Sequence, residues 1–113
     1  MLMSENIDYD HFSKIKMMVG TIKTVEEIPK ADKLYKLAVD VGPEIGIRTL
    51  VAGIKTSYSQ NELINKQIVI LVNLEPRKLR GVESQGMLLA ASANGNAVLL
   101  QPEKPVANGT IIK

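Results

Sequence analysis

Apolar and polar residues alternate with period two through much of this chain. Tyr35, Leu37, Val39 and Val41 interleave with Lys36, Ala38 and Asp40, which predicts an extended segment with one buried face. Ile47, Thr49 and Val51 against Arg48, Leu50 and Ala52 repeat the pattern, and Gly42, Pro43 and Gly46 mark the turn between the two segments. Met17 to Ile28 is rich in Val, Ile and Thr and carries Gly20 inside the run, which predicts a strand bent sharply, as a small closed sheet requires. Gln67 to Asn73 is apolar on both faces and predicts a central strand; Gly86 to Ser92 predicts a fifth of similar character. Asn94-Gly95-Asn96 is a hairpin signal leading into AVLLQ.

Helical signals are short. Asp8 predicts the cap of a helix that buries Tyr9, Phe12 and Ile15 on one side. Ser59 with Glu62 three residues later predicts a capping box, and Asn65 can stop that second helix in the left-handed conformation. The closing PVANGTIIK holds Ile111 and Ile112, an apolar pair expected to pack. Five or six short strands, with one small helix between the third and fourth, argue against a parallel doubly wound sheet and for an all-β, small closed barrel. A length of 113 residues suits a single domain over 1–113.

Composition narrows the class. Hydrophobic residues at 45% and charged residues at 23% are ordinary for a globular chain and far from a disordered one. No apolar run reaches membrane-spanning length, and MLMSENIDYD has neither the basic flank nor the apolar core of a secretory signal, so the expected location is cytoplasmic, with no membrane partner. Cysteine is absent, which removes disulfides and thiolate metal sites. The net charge is +2, but Glu5, Asp8 and Asp10 stand in a leader without Lys or Arg, so the remainder carries +5. A basic excess of that size suits an anionic partner such as RNA, and equally serves solubility.

Catalytic readings find little support. His11 is the sole histidine and lacks the nitrogen and sulfur companions of a zinc site. In GVESQGM the glycine stands three residues before Ser84 rather than two, and no base is evident, so this is no nucleophile elbow. Neither GxxxxGK[ST] nor GxGxxG occurs. Glu26 and Glu27 are adjacent in a strand, where neighbours point to opposite faces. No metal, cofactor or catalytic residue is therefore assigned.

One stretch asks for another explanation. NLEPRKLRGVESQGM, from Asn73 to Met87, sets Arg77, Lys78 and Arg80 between two of the most apolar runs. Arg offers forked donors and Lys a mobile point charge, both suited to phosphates held at fixed spacing by a folded RNA. Gly81 and Gly86 would admit close approach of a backbone, and Ser84 and Asn73 would supply neutral hydrogen bonds. With no Trp, one Phe and three Tyr, a base-stacking platform is thin. A solvated loop with turn-satisfying glycines explains the same residues, and charge alone does not separate the two.

Successive blocks carry a specific resemblance. VGTIKTVEEIPKADKLYKLAVDVG, RTLVAGIKTSY and NLEPRKLRGVESQGMLLAA resemble the tRNA-binding domain family found at the carboxyl end of many methionyl-tRNA synthetases, over about Phe12 to Ile112. The resemblance implies a five-stranded oligonucleotide-binding (OB-fold) barrel with a short N-terminal helix, a short helix between strands three and four, and a C-terminal β extension. It also implies a homodimer that recognises the overall shape of tRNA. By position it places Asn73, Pro76, Lys78, Gly81, Ser84, Gly86 and Met87 in the family's characteristic loop and strand, with Arg77 and Arg80 as basic neighbours. Lys33 in KADKL, then Lys30 and Lys55, add charge to the RNA-facing side. Ile28 and Met18 depart from the histidine and arginine common in the family, and Asn65 from its glycine. The expected function is a non-catalytic tRNA-binding protein, the free-standing small chain or accessory factor of a methionyl-tRNA synthetase catalytic chain. Two readings stand beside it: an export-type chaperone binding unfolded polypeptides at a dimer surface, and a scaffold for other synthetases. The terminal helix with Phe12 and the tail at Ile111 and Ile112 are the candidates for the dimer interface.

Overall fold

The computed structural model describes residues 5–113. The leader expected to carry no secretory signal begins in 1–4, outside the described residues. Strand β1 (Met17–Glu27) is the spine of the fold. Its first half pairs antiparallel with β4 (Gln67–Leu71) and its second half with β2 (Tyr35–Asp40), the change of partner falling at Thr21. A register shift between Ile22 and Thr24 adds the local bend that lets one strand serve two neighbours. β3 (Ile47–Ala52) continues the sheet beyond β2, and β7 (Met87–Leu88) beyond β4, giving the order β3-β2-β1-β4-β7. This is the expected five-stranded antiparallel barrel.

The inward faces of these strands meet in one core. Ile22, Leu37, Leu50, Ile68 and Ile70 are fully buried; in β3 the inward face is that of Leu50 and Ala52, with Ile47 exposed, opposite to the face its apolar residues suggest. A short helix between β3 and β4, α2 (Gln60–Leu63), plugs one end with Leu63, also fully buried. Its capping box is complete: the Glu62 N–H donates to Ser59 Oγ, and the Ser59 N–H donates to Glu62 Oε1 at 2.8 Å. That backbone donor, more than the Ser59 hydroxyl, holds the Glu62 carboxyl below its ordinary range. Asn65 adopts a left-handed φ of 70°, as expected of the residue that stops this helix.

Three expectations are corrected. The fifth strand does not run unbroken from Gly86 to Ser92. At Leu89 the backbone changes partners, its N–H donating to Val69 O and its C=O accepting from the Leu100 N–H, so β7 ends and β8 (Ala90–Ala93) begins. β8 pairs with β9 (Asn96–Leu99) across the expected Asn94-Gly95 turn, and all four of its residues are exposed rather than central. The N-terminal helix α1 (Tyr9–Ser13) forms and is capped by Asp8, whose carboxylate accepts from the His11 N–H at 2.9 Å. It buries nothing: Tyr9 is 76% exposed and Phe12 36%. A five-residue helix lying at the margin of the sheet has no second layer to cover it. The closing pair forms β10 (Ile111–Ile112) on the outer margin of β1, with Ile111 still 61% exposed.

Candidate nucleic-acid interface

The stretch between β4 and β7 was expected as a loop and is a β-ribbon instead. β5 (Arg77–Leu79) and β6 (Val82–Ser84) pair antiparallel with Leu79 opposite Val82, leaving Arg80 and Gly81 as a two-residue turn. Both turn residues have positive φ, 51° and 81°, the requirement of a type I′ hairpin. Alternation along the ribbon turns Leu79, Val82 and Ser84 inward and Lys78 and Glu83 outward. Arg77, at the open end, is exposed. The charged residues therefore stand on a stiff projection rather than on a mobile loop.

Ser84 and the residues after it dock this ribbon on the free margin of β3. The Val51 N–H donates to Ser84 Oγ at 3.0 Å, and that hydroxyl donates to Gly86 O at 3.0 Å. The Gln85 N–H donates to Thr49 O at 2.7 Å, while Gln85 Oε1 accepts from the Thr49 N–H at 2.9 Å. Arg48 reaches across the same seam, Nη1 donating to Val72 O and to Gln85 O at 3.1 and 2.8 Å. Ser84, 6% exposed, thus positions the ribbon from within. Asn73 has a comparable job at the base: its Oδ1 accepts from the Lys16 N–H at 2.9 Å and its Nδ2 donates to Lys14 O at 2.6 Å, tying the N-terminal segment to the end of β4. Arg48 was not singled out from the sequence, where it reads only as a polar position in an alternating strand.

The tip of the ribbon meets the β1–β2 loop. Arg80, Lys30 and Lys33 line one open depression of about 390 Å³, together with Asp32. Lys30 also has positive φ, 63°. Among the described residues, the non-glycine residues with positive φ are Asn65 and Asn94, which tolerate it, and Lys30 and Arg80, which have no local side-chain compensation for it. Both strained cations thus belong to one depression.

The remaining candidates fall nearby or elsewhere. The Lys55 backbone N–H donates to Lys33 O at 3.2 Å and so steadies the loop, but Lys55 Nζ lies 2.7 Å from Glu27 Oε1. The hydrogen bond that Lys55 Nζ donates to the Glu27 carboxylate raises the Lys55 pKa above its ordinary value, and its charge is already matched within the protein. Met87, on β7 beside Leu71, is 45% exposed and so lies outside the core. Arg77, Lys78, Arg80, Lys30 and Lys33 thus present free cationic heads on the ribbon and the loop beside it, while Ser84 and Asn73 hold the scaffold. Asp8 Oδ1 also accepts from His11 Nδ1 at 2.7 Å, and its carboxyl lies below its usual range chiefly because of the His11 backbone N–H. Among the described residues no three His, Cys, Asp or Glu side chains gather as a metal site, and no helix is long and apolar enough to cross a membrane.

The chain as a whole is similar to proteins already known. The family model for the tRNA binding domain matches residues 17–111. The methionine-tRNA ligase of Pyrococcus horikoshii is 50% identical over 109 residues, which is 96% of this chain and 15% of that enzyme. The chain thus spans about 15% of the length of the curated relative it matches. A solved MetRS related protein from Pyrococcus horikoshii has a TM-score of 0.89 and 40% identity, covering 97% of this chain and 100% of that one. A solved CsaA chaperone protein from Picrophilus torridus also has a TM-score of 0.89, with 37% identity, covering 96% and 100%.

Proposed function

Because the chain belongs to the tRNA binding domain family, we propose that it is a non-catalytic protein that grips folded tRNA with the β5–β6 ribbon and the β1–β2 loop. The observation that carries this reading is the shared depression of Lys30 and Arg80. A left-handed backbone at a long cationic residue is unfavourable, and such strain persists where the side chain must be aimed. An Asn at position 80 would make a better type I′ turn and a worse phosphate contact. Free ammonium and guanidinium groups on rigid elements match phosphates fixed by a folded RNA, and the recognition is of backbone and shape rather than of bases. Titration of unfractionated tRNA in a gel-shift assay tests it. Binding is expected to weaken by more than about tenfold between roughly 50 and 200 mM salt, as for several phosphate contacts. No binding at the lower salt, or binding indifferent to salt, would sink the proposal.

In the cytoplasm the chain acts as the free-standing small chain or accessory factor of a methionine-tRNA ligase, raising the local concentration of tRNA at the enzyme. Support comes from the half identity to a segment of such a ligase and from solved chains of the same extent. It works as a homodimer. The groove lined by Tyr9, Phe12, Ile15, Met17, Met18 and Ile111, about 260 Å³ and rich in exposed apolar side chains, offers a self-complementary face for a two-fold partner. Phe12→Glu is expected to give monomers in sedimentation equilibrium at concentrations where the unaltered chain dimerises. An unaltered chain that is itself monomeric would refute this part.

The likeness to a protein named as a chaperone favours a second reading, in which the same apolar groove receives extended polypeptide. Suppression of aggregation of an unfolded client, without affinity for tRNA, would establish it in place of the first.

A further inference from the structure

The outward face of the β5–β6 ribbon carries a carboxylate among its cations. Lys78 and Glu83 are directly opposite in the register. Because Leu79 and Val82 flank the two-residue turn as a hydrogen-bonded pair, Lys78 and Glu83 form the next, non-hydrogen-bonded pair, in which side chains come closest. Glu83 also lines a depression with Lys36 of β2, Thr49, Gly81 and Gln85. Yet it makes no ion pair: among the described residues the salt bridges are His11 with Asp8 and Lys55 with Glu27. An exposed carboxylate held beside Lys78, without being paired to it, adds little to the stability of the hairpin. What it does add is a fixed negative charge where phosphates must approach.

We infer that Glu83 limits the affinity of this surface for folded RNA. It repels phosphates and lowers the potential at Lys78 and Lys36, so that tRNA is held loosely and released readily. This rests on the tRNA-binding reading above. The carboxylate accepts no sequence-specific contact in this role, so its effect is the same for every tRNA, and it fades as salt screens the charges.

The test is a tRNA titration of Glu83→Gln, which keeps the size and one acceptor oxygen, replaces the other oxygen by an NH2 donor and removes the charge. Affinity is expected to rise about threefold at low salt, with a steeper salt dependence than the unaltered protein. Glu44→Gln, in the β2–β3 turn on a depression shared with Ile111, makes the same change in net charge away from the ribbon and is expected to change affinity less than Glu83→Gln. Equal tightening by both variants would mean that net charge rather than position matters, and would overturn the inference. Unchanged or weakened binding by Glu83→Gln would also overturn it, the latter pointing to a carboxylate that accepts a hydrogen bond from the RNA. Lys78→Ala with Arg80→Asn separates the two levels of the argument. If that variant binds as the unaltered protein does, the RNA surface itself is misplaced; if it loses affinity while Glu83→Gln gains none, only the role of Glu83 falls.

Discussion

Lys78→Ala combined with Arg80→Asn is expected to weaken tRNA binding by about ten- to thirtyfold at low salt and to flatten the salt dependence by about two units of slope. Two exposed cations on a rigid ribbon each contribute on the order of 1 kcal/mol to a phosphate contact, and the loss should be uniform across tRNAs because backbone contacts carry no sequence. The choice of asparagine at position 80 makes the result interpretable. Arg80 sits at φ 51° in a turn followed by Gly81, and Asn-Gly is the preferred pair for that turn. The substitution therefore relieves strain while removing charge, so thermal stability should hold or rise as affinity falls. A variant that binds like the unaltered protein would remove the ribbon from the RNA surface; one that loses both binding and stability would show that the hairpin had not been preserved.

Gly86→Ala is expected to cost about 3 kcal/mol of stability. A Cβ at this position would lie 2.8 Å from the Leu71 carbonyl oxygen and 3.3 Å from Leu50 Cδ2, and the φ of 147° is strained for any side chain. The closest atom is backbone within the β4–β7 ladder and cannot rotate away. Chemical denaturation measures the effect, and a loss under about 1 kcal/mol would mean that the strand margins yield more easily than their geometry implies. Gly81 offers the contrast: nothing lies within 4 Å of its Cβ position, so only its φ of 81° resists substitution. The resemblance groups both glycines with the same loop, but one guards the closure of the barrel and the other turns a hairpin.

Period-two alternation made β2 and the bounds of β3 legible, but in β3 the buried face is that of Leu50 and Ala52, and Ile47 of the more apolar-looking series is exposed. The β5–β6 ribbon was hidden for an identifiable reason. Its strands are three residues long, and its turn is Arg-Gly, so the Asn-Gly signal that revealed the β8–β9 turn was missing. β8 misled in the opposite direction, since Ala and Ser without charge read as buried while their small side chains in fact lie open. Residue type announced Ser84 and Asn73 as hydrogen-bonding groups but could not say that their partners are Val51, Gly86, Lys14 and Lys16. Nor does anything local to Lys30 announce Arg80; their meeting depends on the ribbon folding back over β3 toward the β1–β2 loop.

The seam along β3 has a further consequence. The barrel closes there through Gln85, Ser84 and Arg48, three side chains reaching backbone groups, in place of a continuous strand ladder. Loss of these contacts would leave the ribbon out of register with Lys30 and Lys33 while the core residues keep their own packing. On the proposed tRNA-binding reading, affinity for RNA would scale with the fraction of molecules whose seam is closed. RNA that bridges ribbon and loop would, on the same reading, favour the closed seam, and slowed hydrogen exchange at the Thr49 and Val51 amides is the expected readout.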